Sequence, residues 1–231
     1  MVKIKKNDKY KKKYILLINN KMKVLELFKG TGSVGKAITK LYPGAEIVSL
    51  DILKKYEPTI CGDIMQFDYT VYKEGEFDII WASPECKVFS KLQNTHIGET
   101  RKWKTKDELV QARKDNEKYV LKVLEIINYL RPKWWFIENP WDSAMKDIPQ
   151  MKVLPSIQFD YCRYGFDYQK KTRIWTNRTD LVECKCNCEG THKFRLGINS
   201  KKEVSKNQKT DETRTNRRYS IPADLLKYIL L

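Results

Sequence analysis

The stretch DIIWASPECKVFS, residues 78–90, carries an apolar run into a proline and then sets Glu85 beside Cys86. A thiol at that point can act as a nucleophile, fill space as a buried structural group, or persist in a site without turnover. A second chemical group stands in WWFIENP, where Glu138 ends another apolar segment. An unpaired carboxylate is costly to bury, so Glu138 is either a functional acid or half of a core ion pair. The third candidate is the loop FKGTGSVG, residues 28–35, with glycine at 30, 32 and 35. Such glycines allow a tight turn and bring a nucleotide close to the backbone at a helix N-terminus, the plain alternative being a packing turn. Asp51 is placed to accept both hydrogens of a ribose diol, and Asp63, in CGDI, to meet an adenine amino group. Together they predict a nucleotide-type cofactor, nicotinamide and S-adenosylmethionine both being admitted.

These groups need elements to hold them. KVLELF reads as a buried strand, SVGKAITKLY as a helix, AEIVSLD as a second strand, FDIIWAS as a third and KWWFIEN as a fourth. Leu109, Val120, Leu124, Ile127 and Leu130 fall largely at helical spacing within residues 106–130, and Arg131-Pro132 stops that helix. The alternation predicts an α/β fold, a mostly parallel sheet with helices on both faces. Ligands of such sheets bind beyond the carboxyl ends of the strands near the topological switch point. The glycine loop, Asp51, the Cys86 segment and Glu138 all fall at those ends. Residues 178–218 break the pattern and read as a small loop-rich, cysteine-containing basic insertion. Residues 1–20 read as a basic arm, and 219–231 as a capped helix with Pro222 in its first turn.

A chain of 231 residues allows one domain with a full core and a small appendage. Its formal net charge is +16, with lysines crowded into the first 23 residues and again in 199–218. A basic surface attracts phosphate backbones through counterion release, whatever their sequence; the plain alternative is a solvated face. No apolar run approaches the roughly 20 residues that span a bilayer, and YILLI is too short for a signal-peptide core. The expectation is an intracellular protein without a membrane partner, in the cytoplasm or wherever the genome it acts on resides. The six cysteines then read as thiols, metal ligands or a nucleophile rather than disulfides.

In order and spacing, LFKGTG, Asp51, Asp63, SPEC, ENP and QKKTR resemble the motifs of the DNA cytosine-5 methyltransferases, especially compact phage- and virus-type members, over residues 23–177. Phe28, Gly30 and Gly32 match the family's first motif, and Glu85-Cys86 falls on its catalytic Pro-Cys pair. Glu138-Asn139-Pro140 falls on its Glu-Asn-Val, and Gln169, Lys171 and Arg173 on its Gln-x-Arg-x-Arg. The resemblance implies a Rossmann-like class I S-adenosylmethionine-dependent methyltransferase fold, with residues 21–177 as the catalytic domain. It implies contacts to S-adenosyl-L-methionine from Phe28, Gly30, Thr31, Gly32, Ser33, Asp51, Ile52, Asp63, Ile64, Ser83 and Pro84. Cys86 would add its thiolate to carbon 6 of cytosine, turning carbon 5 into a nucleophile toward the methyl group. Glu138 would hold N3 and the exocyclic amine, and Arg173 with Lys171 would fix the base or neutralise nearby charge. The implied partner is double-stranded DNA with the target cytosine flipped out, RNA being less favoured, and the protein is expected to act as a monomer.

Three positions depart from the pattern: Glu85 replaces proline, Pro140 valine and Lys171 arginine. A carboxylate aimed at the thiol disfavours the thiolate; one that points outward or pairs with Lys87 or Arg173 does not. Other readings stay open. One is a cofactor- and DNA-binding homologue without turnover. Another is an amino-methyltransferase of cytosine N4 or adenine N6, whose Ser/Asp/Asn-Pro-Pro-aromatic motif is matched only at Ser83-Pro84.

Cys184, Cys186, Cys188 and His192 supply the ligand types of a Cys3His zinc site, though at an i, i+2 spacing unlike the usual Cys-x-x-Cys; a reduced-thiol loop is the alternative. Residues 178–218 leave room only for short or lax sequence recognition. DNA contacts are expected there, in Lys87–Lys106 and in the N-terminal arm. Phe89 and Trp103 could stack on bases or serve packing.

Overall fold

Val24, Leu25 and Leu27 of KVLELF are wholly buried, and this segment becomes the middle of the sheet. The structure, a computed structural model, describes residues 22–187, 194–195, 216 and 219–230. The basic arm, residues 1–20, and most of 188–218 lie outside the described residues. The principal elements run β1 (Lys23–Leu27), α1 (Ser33–Leu41), β2 (Glu46–Asp51), β3 (Ile60–Cys61), β4 (Ile79–Ala82), α2 (Lys106–Leu130) and β5 (Trp134–Pro140). They continue α3 (Pro149–Lys152), β6 (Ser156–Asp160), β7 (Tyr168–Gln169), β8 (Lys171–Thr176), β9 (Phe194–Arg195) and α4 (Ala223–Leu230).

Seven strands form one sheet in the order β3-β2-β1-β4-β5-β8-β6. The strands from β3 to β5 are parallel, and β8 lies antiparallel between β5 and β6. The chain moves outward from β1 through β2 to β3, then returns to β4 on the other side of β1. The switch point therefore lies between β1 and β4, where the crevice of such a sheet opens.

Strand alternation sorts the core into two layers. Leu25, Leu27, Ile80 and Ile137 pack with Val120, Val123 and Ile126 of α2. Val24, Ile79, Trp81 and Phe136 pack on the other face with Ile38 of α1 and Leu225, Leu226 and Ile229 of α4. Helix α2 is capped by Thr105, whose hydroxyl accepts from the Glu108 N–H at 3.2 Å. It ends where Arg131 turns left-handed (φ 44°) ahead of Pro132, the bounds predicted from its pattern. Helix α4 is tied to α1 by a Ser33 hydroxyl accepting from the Ile221 N–H at 3.1 Å. Among the described residues, no helix is long and apolar enough to cross a membrane.

Candidate active site

The loop after β1 is shaped by backbone geometry. Gly30 and Gly32 take φ of 50° and 65°, conformations that cost a glycine little, and Phe28 also sits at φ 58°. Asp51, closing β2, clamps the turn: Oδ2 accepts from the Gly30 N–H and Oδ1 from the Leu53 N–H, each at 2.8 Å. Below the loop, Glu26 is 2 % exposed and accepts from the Gly35 N–H at 3.2 Å. A Cβ on residue 35 would stand 2.9 Å from that carboxylate and 3.2 Å from the Ile47 side chain, so a larger residue there would push Glu26 off the Gly35 N–H. Burial pushes the Glu26 carboxyl up to about 7, against the opposing pull of the Gly35 N–H.

Around this loop Ile52 is exposed beside Asp51, and Ile64 is buried. The Asp63 carboxylate accepts from the Met65 N–H at 2.9 Å, capping a short turn. Thr31 and Ser33 hydroxyls lie 3.4 Å apart.

The Cys86 segment is pinned from both neighbouring strands. The Ser83 N–H donates to the Leu27 carbonyl of β1 at 3.3 Å, and the Ser83 hydroxyl accepts from the Trp81 indole at 3.1 Å. From β5, the Asn139 amide donates to the Pro84 carbonyl at 3.0 Å. Cys86 itself is half-buried, while Glu85 is exposed and pairs with Lys87 at 2.8 Å. Burial pushes the Cys86 thiol up; the Glu138 charge adds to this, Lys170 pulls the other way, and Glu85 adds only a lesser push. Beyond Cys86, Arg113 of α2 donates to the Val88 and Ser90 carbonyls at 3.2 and 3.4 Å. Phe89 is 3 % exposed and belongs to the core, so it serves packing. The Trp103 indole donates to the Gln93 side chain at 2.9 Å, with Lys102 4.6 Å from its ring centroid.

Glu138 is brought to the same crevice from β5. Its Oε1 accepts from the Tyr161 hydroxyl at 3.1 Å and from Lys170 Nζ at 3.4 Å. Lys171 and Arg173 are placed elsewhere. Glu138 pairs across the sheet with Ile174, so Thr172 and Ile174 share its face, whereas residues 171 and 173 take the other. Arg173 stacks on Trp141 at 3.6 Å and donates to the Ser156 hydroxyl at 2.7 Å; Lys171 is exposed. Sequence reasoning missed Lys170, Tyr161, the Asn139 link and Glu26. A parity count along QKKTR would have found Lys170, had the register of β8 against β5 been known.

Of the proposed zinc ligands, Cys188 and His192 lie outside the described residues. Cys184 exchanges backbone hydrogen bonds with β6, and the Cys186 N–H donates to Asp160 at 2.7 Å. Among the described residues no group of His, Cys, Asp or Glu side chains is arranged to hold a metal, and zinc gains no support.

The reversal of strand order beside β1, with antiparallel β8 wedged between β5 and β6, is the sheet of the class I methyltransferases, which depend on S-adenosylmethionine. No family model matches the chain. Over 168 residues it is 36% identical to the probable DNA (cytosine-5)-methyltransferase of Frog virus 3 (isolate Goorha), covering 71% of this chain and 75% of that protein. The chain belongs to the DNA (cytosine-5)-methyltransferase family. Among solved structures it is similar to the Entamoeba histolytica methyltransferase EhMeth, at 17% identity and a TM-score of 0.49, over 72% of this chain and 58% of that one. It is also similar to S. pombe Dnmt2 methyltransferase, at 15% identity and a TM-score of 0.47, over 77% and 52% of the two chains. The chain thus spans little more than half the length of these two proteins.

Proposed function

We propose that the protein transfers a methyl group from S-adenosyl-L-methionine to carbon 5 of cytosine in double-stranded DNA, with Cys86 as the nucleophile. The observation that carries this reading is the Asn139 amide bond to the Pro84 carbonyl at 3.0 Å, which ties the Cys86 segment after β4 to the end of the adjacent strand β5, where Glu138 is buried. The Glu138 charge adds to the upward push of burial on the Cys86 thiol. The +16 charge supports a polyanionic partner.

The residues after β1 and β2 fit the cofactor. A Cβ added at Gly30 meets nothing nearer than the Phe28 carbonyl at 3.8 Å, leaving space over the loop. Asp51 offers a carboxylate, and Ile52 an exposed apolar side chain that suits a flat ring. In this reading the loop of Phe28, Gly30, Thr31, Gly32 and Ser33, with Asp51, Ile52, Asp63, Ile64, Ser83 and Pro84, holds the cofactor. When bound, it supplies an electrophilic methyl group.

Cys86 adds as thiolate to carbon 6, and the displaced electron pair makes carbon 5 nucleophilic. Glu138 meets N3 and the exocyclic amine; one well-placed group of this kind contributes on the order of 3 kcal/mol to such a step. Once carbon 5 carries the methyl group, its proton leaves to a base. The 5,6 double bond re-forms and the thiolate departs with its electron pair. A stacked cytosine does not reach a crevice at the strand ends, so the base is flipped out. Glu85, turned outward onto Lys87, is compatible with turnover. The protein acts as a monomer wherever its DNA resides.

The test is nucleoside analysis by chromatography and mass detection on DNA from a methylation-free host expressing the protein or Cys86→Ser. 5-Methylcytosine that vanishes in the variant is expected. N4-methylcytosine or N6-methyladenine would instead move the chemistry to Ser83-Pro84. Methylation confined to RNA would reassign the substrate.

A further inference from the structure

We propose that Lys170, seated on the ring of Tyr161, is a positioning residue that acts as the shared cation for Cys86 and Glu138. The inference rests on the reading of Cys86 as the nucleophile. Tyr161 is fully buried, and its hydroxyl is satisfied by Glu138 Oε1 at 3.1 Å. Lys170 Nζ lies 3.4 Å from the same oxygen and 4.6 Å from the Tyr161 ring centroid, with a side chain only 15% exposed. An ammonium over an aromatic face is attracted by the ring quadrupole, which fixes it where a flexible stem would otherwise swing into water.

The other two basic residues of QKKTR do not compete for this place. Arg173 is held by Trp141 and Ser156, and Lys171 lies with it on the face turned away from Glu138. The Asn139 amide bond to the Pro84 carbonyl at 3.0 Å ties the segment carrying Cys86 to the strand end that carries Glu138, and Lys170 sits on that carboxyl at 3.4 Å. A thiolate formed there needs a positive charge, and the Lys170 charge works against the upward push of burial and Glu138 on the Cys86 thiol. As negative charge passes from sulfur to the base, the same ammonium stays within reach of the carboxyl that meets N3.

The test measures, in the full chain, the pH profile of Cys86 alkylation by iodoacetamide, read by peptide mass spectrometry. Lys170→Met is expected to raise the midpoint by about one pH unit. Lys170→Arg, which restores the charge, should recover most of that shift. Tyr161→Phe, which keeps the ring, should hold the midpoint within about 0.3 unit. Methyl transfer by Lys170→Met should slow about tenfold in kcat, with KM for DNA little changed. An unmoved midpoint in Lys170→Met overturns the inference. A shift in Tyr161→Phe as large as that of Lys170→Met would assign the effect to the Tyr161 hydroxyl on Glu138 instead of to the cation on the ring, and overturns the inference. Should the wild-type protein methylate nothing, the reading of Cys86 as a methyl-transfer nucleophile fails, and the alkylation midpoints still decide the inference about Lys170.

Discussion

The two sides of the crevice are built from different materials. On the β1–β2 side the clamps run from backbone N–H groups to carboxylates: Gly30 and Leu53 to Asp51, and Gly35 to Glu26. On the β4–β5 side they run from side chains: Tyr161 and Lys170 to Glu138, and Asn139 to the Pro84 carbonyl. A backbone-built cradle depends on the path of the chain, so it responds to an added Cβ or a lost acceptor. A side-chain cluster depends on which face each residue takes, so one functional group decides it.

Substitutions should therefore separate the two sides. The largest effect is expected at Cys86: Cys86→Ala should lower methyl transfer by about a thousandfold or more while calorimetric cofactor affinity stays within a factor of about two. Joint loss of both would mean that the two sides are one structure.

Next comes Glu26, whose carboxyl is held at about 7 against an ordinary 4.5. Because the folded-state value is raised, its stabilising contribution is complete below about 4.5 and is lost as pH rises through about 7. Glu26→Gln should thus raise the stability measured by urea unfolding at pH 8, by on the order of 3 kcal/mol at most, with no gain at pH 4. An equal gain at both values would contradict the burial argument.

A smaller effect belongs to Asp51→Ala, which strips the Gly30 and Leu53 N–H groups of their acceptor. Unpaired donors of this kind cost about 1–3 kcal/mol, so cofactor affinity should fall roughly ten- to hundredfold while Cys86 alkylation is unaffected. The smallest is Glu85→Ala. With Glu85 exposed and paired to Lys87, the alkylation midpoint of Cys86 should move by less than about 0.3 unit. A larger fall would show that Glu85 restrains the thiol after all.

The contrast also explains what the sequence made legible. Glycines, an aspartate after a buried strand, and a thiol after another announce themselves by type, because strand ends in a parallel sheet share one edge. The four strands and the bounds of α2 were readable from apolar spacing and the Arg131-Pro132 stop for the same reason. The antiparallel pairing of β8 was not, since no local pattern states its register against β5. A one-residue difference in parity decides whether Lys170, or Lys171 and Arg173, shares a face with Glu138. Glu26 escaped notice inside KVLELF because its partner, the Gly35 N–H, is a backbone group that no residue type advertises. The cysteines near residue 184 drew attention by chemistry, yet Cys184 lies along β6 through its backbone.

The most direct measurement is covalent capture. Duplex DNA carrying 5-fluorocytosine in place of cytosine is incubated with the protein and S-adenosylmethionine, and the products are read by intact and peptide mass. Fluorine on carbon 5 blocks the proton loss that would release the thiolate. The predicted result is a DNA adduct on the Cys86 peptide, absent from Cys86→Ser. Methylation of ordinary duplex at carbon 5, with no adduct on Cys86 in the fluorinated one, would contradict the thiolate mechanism.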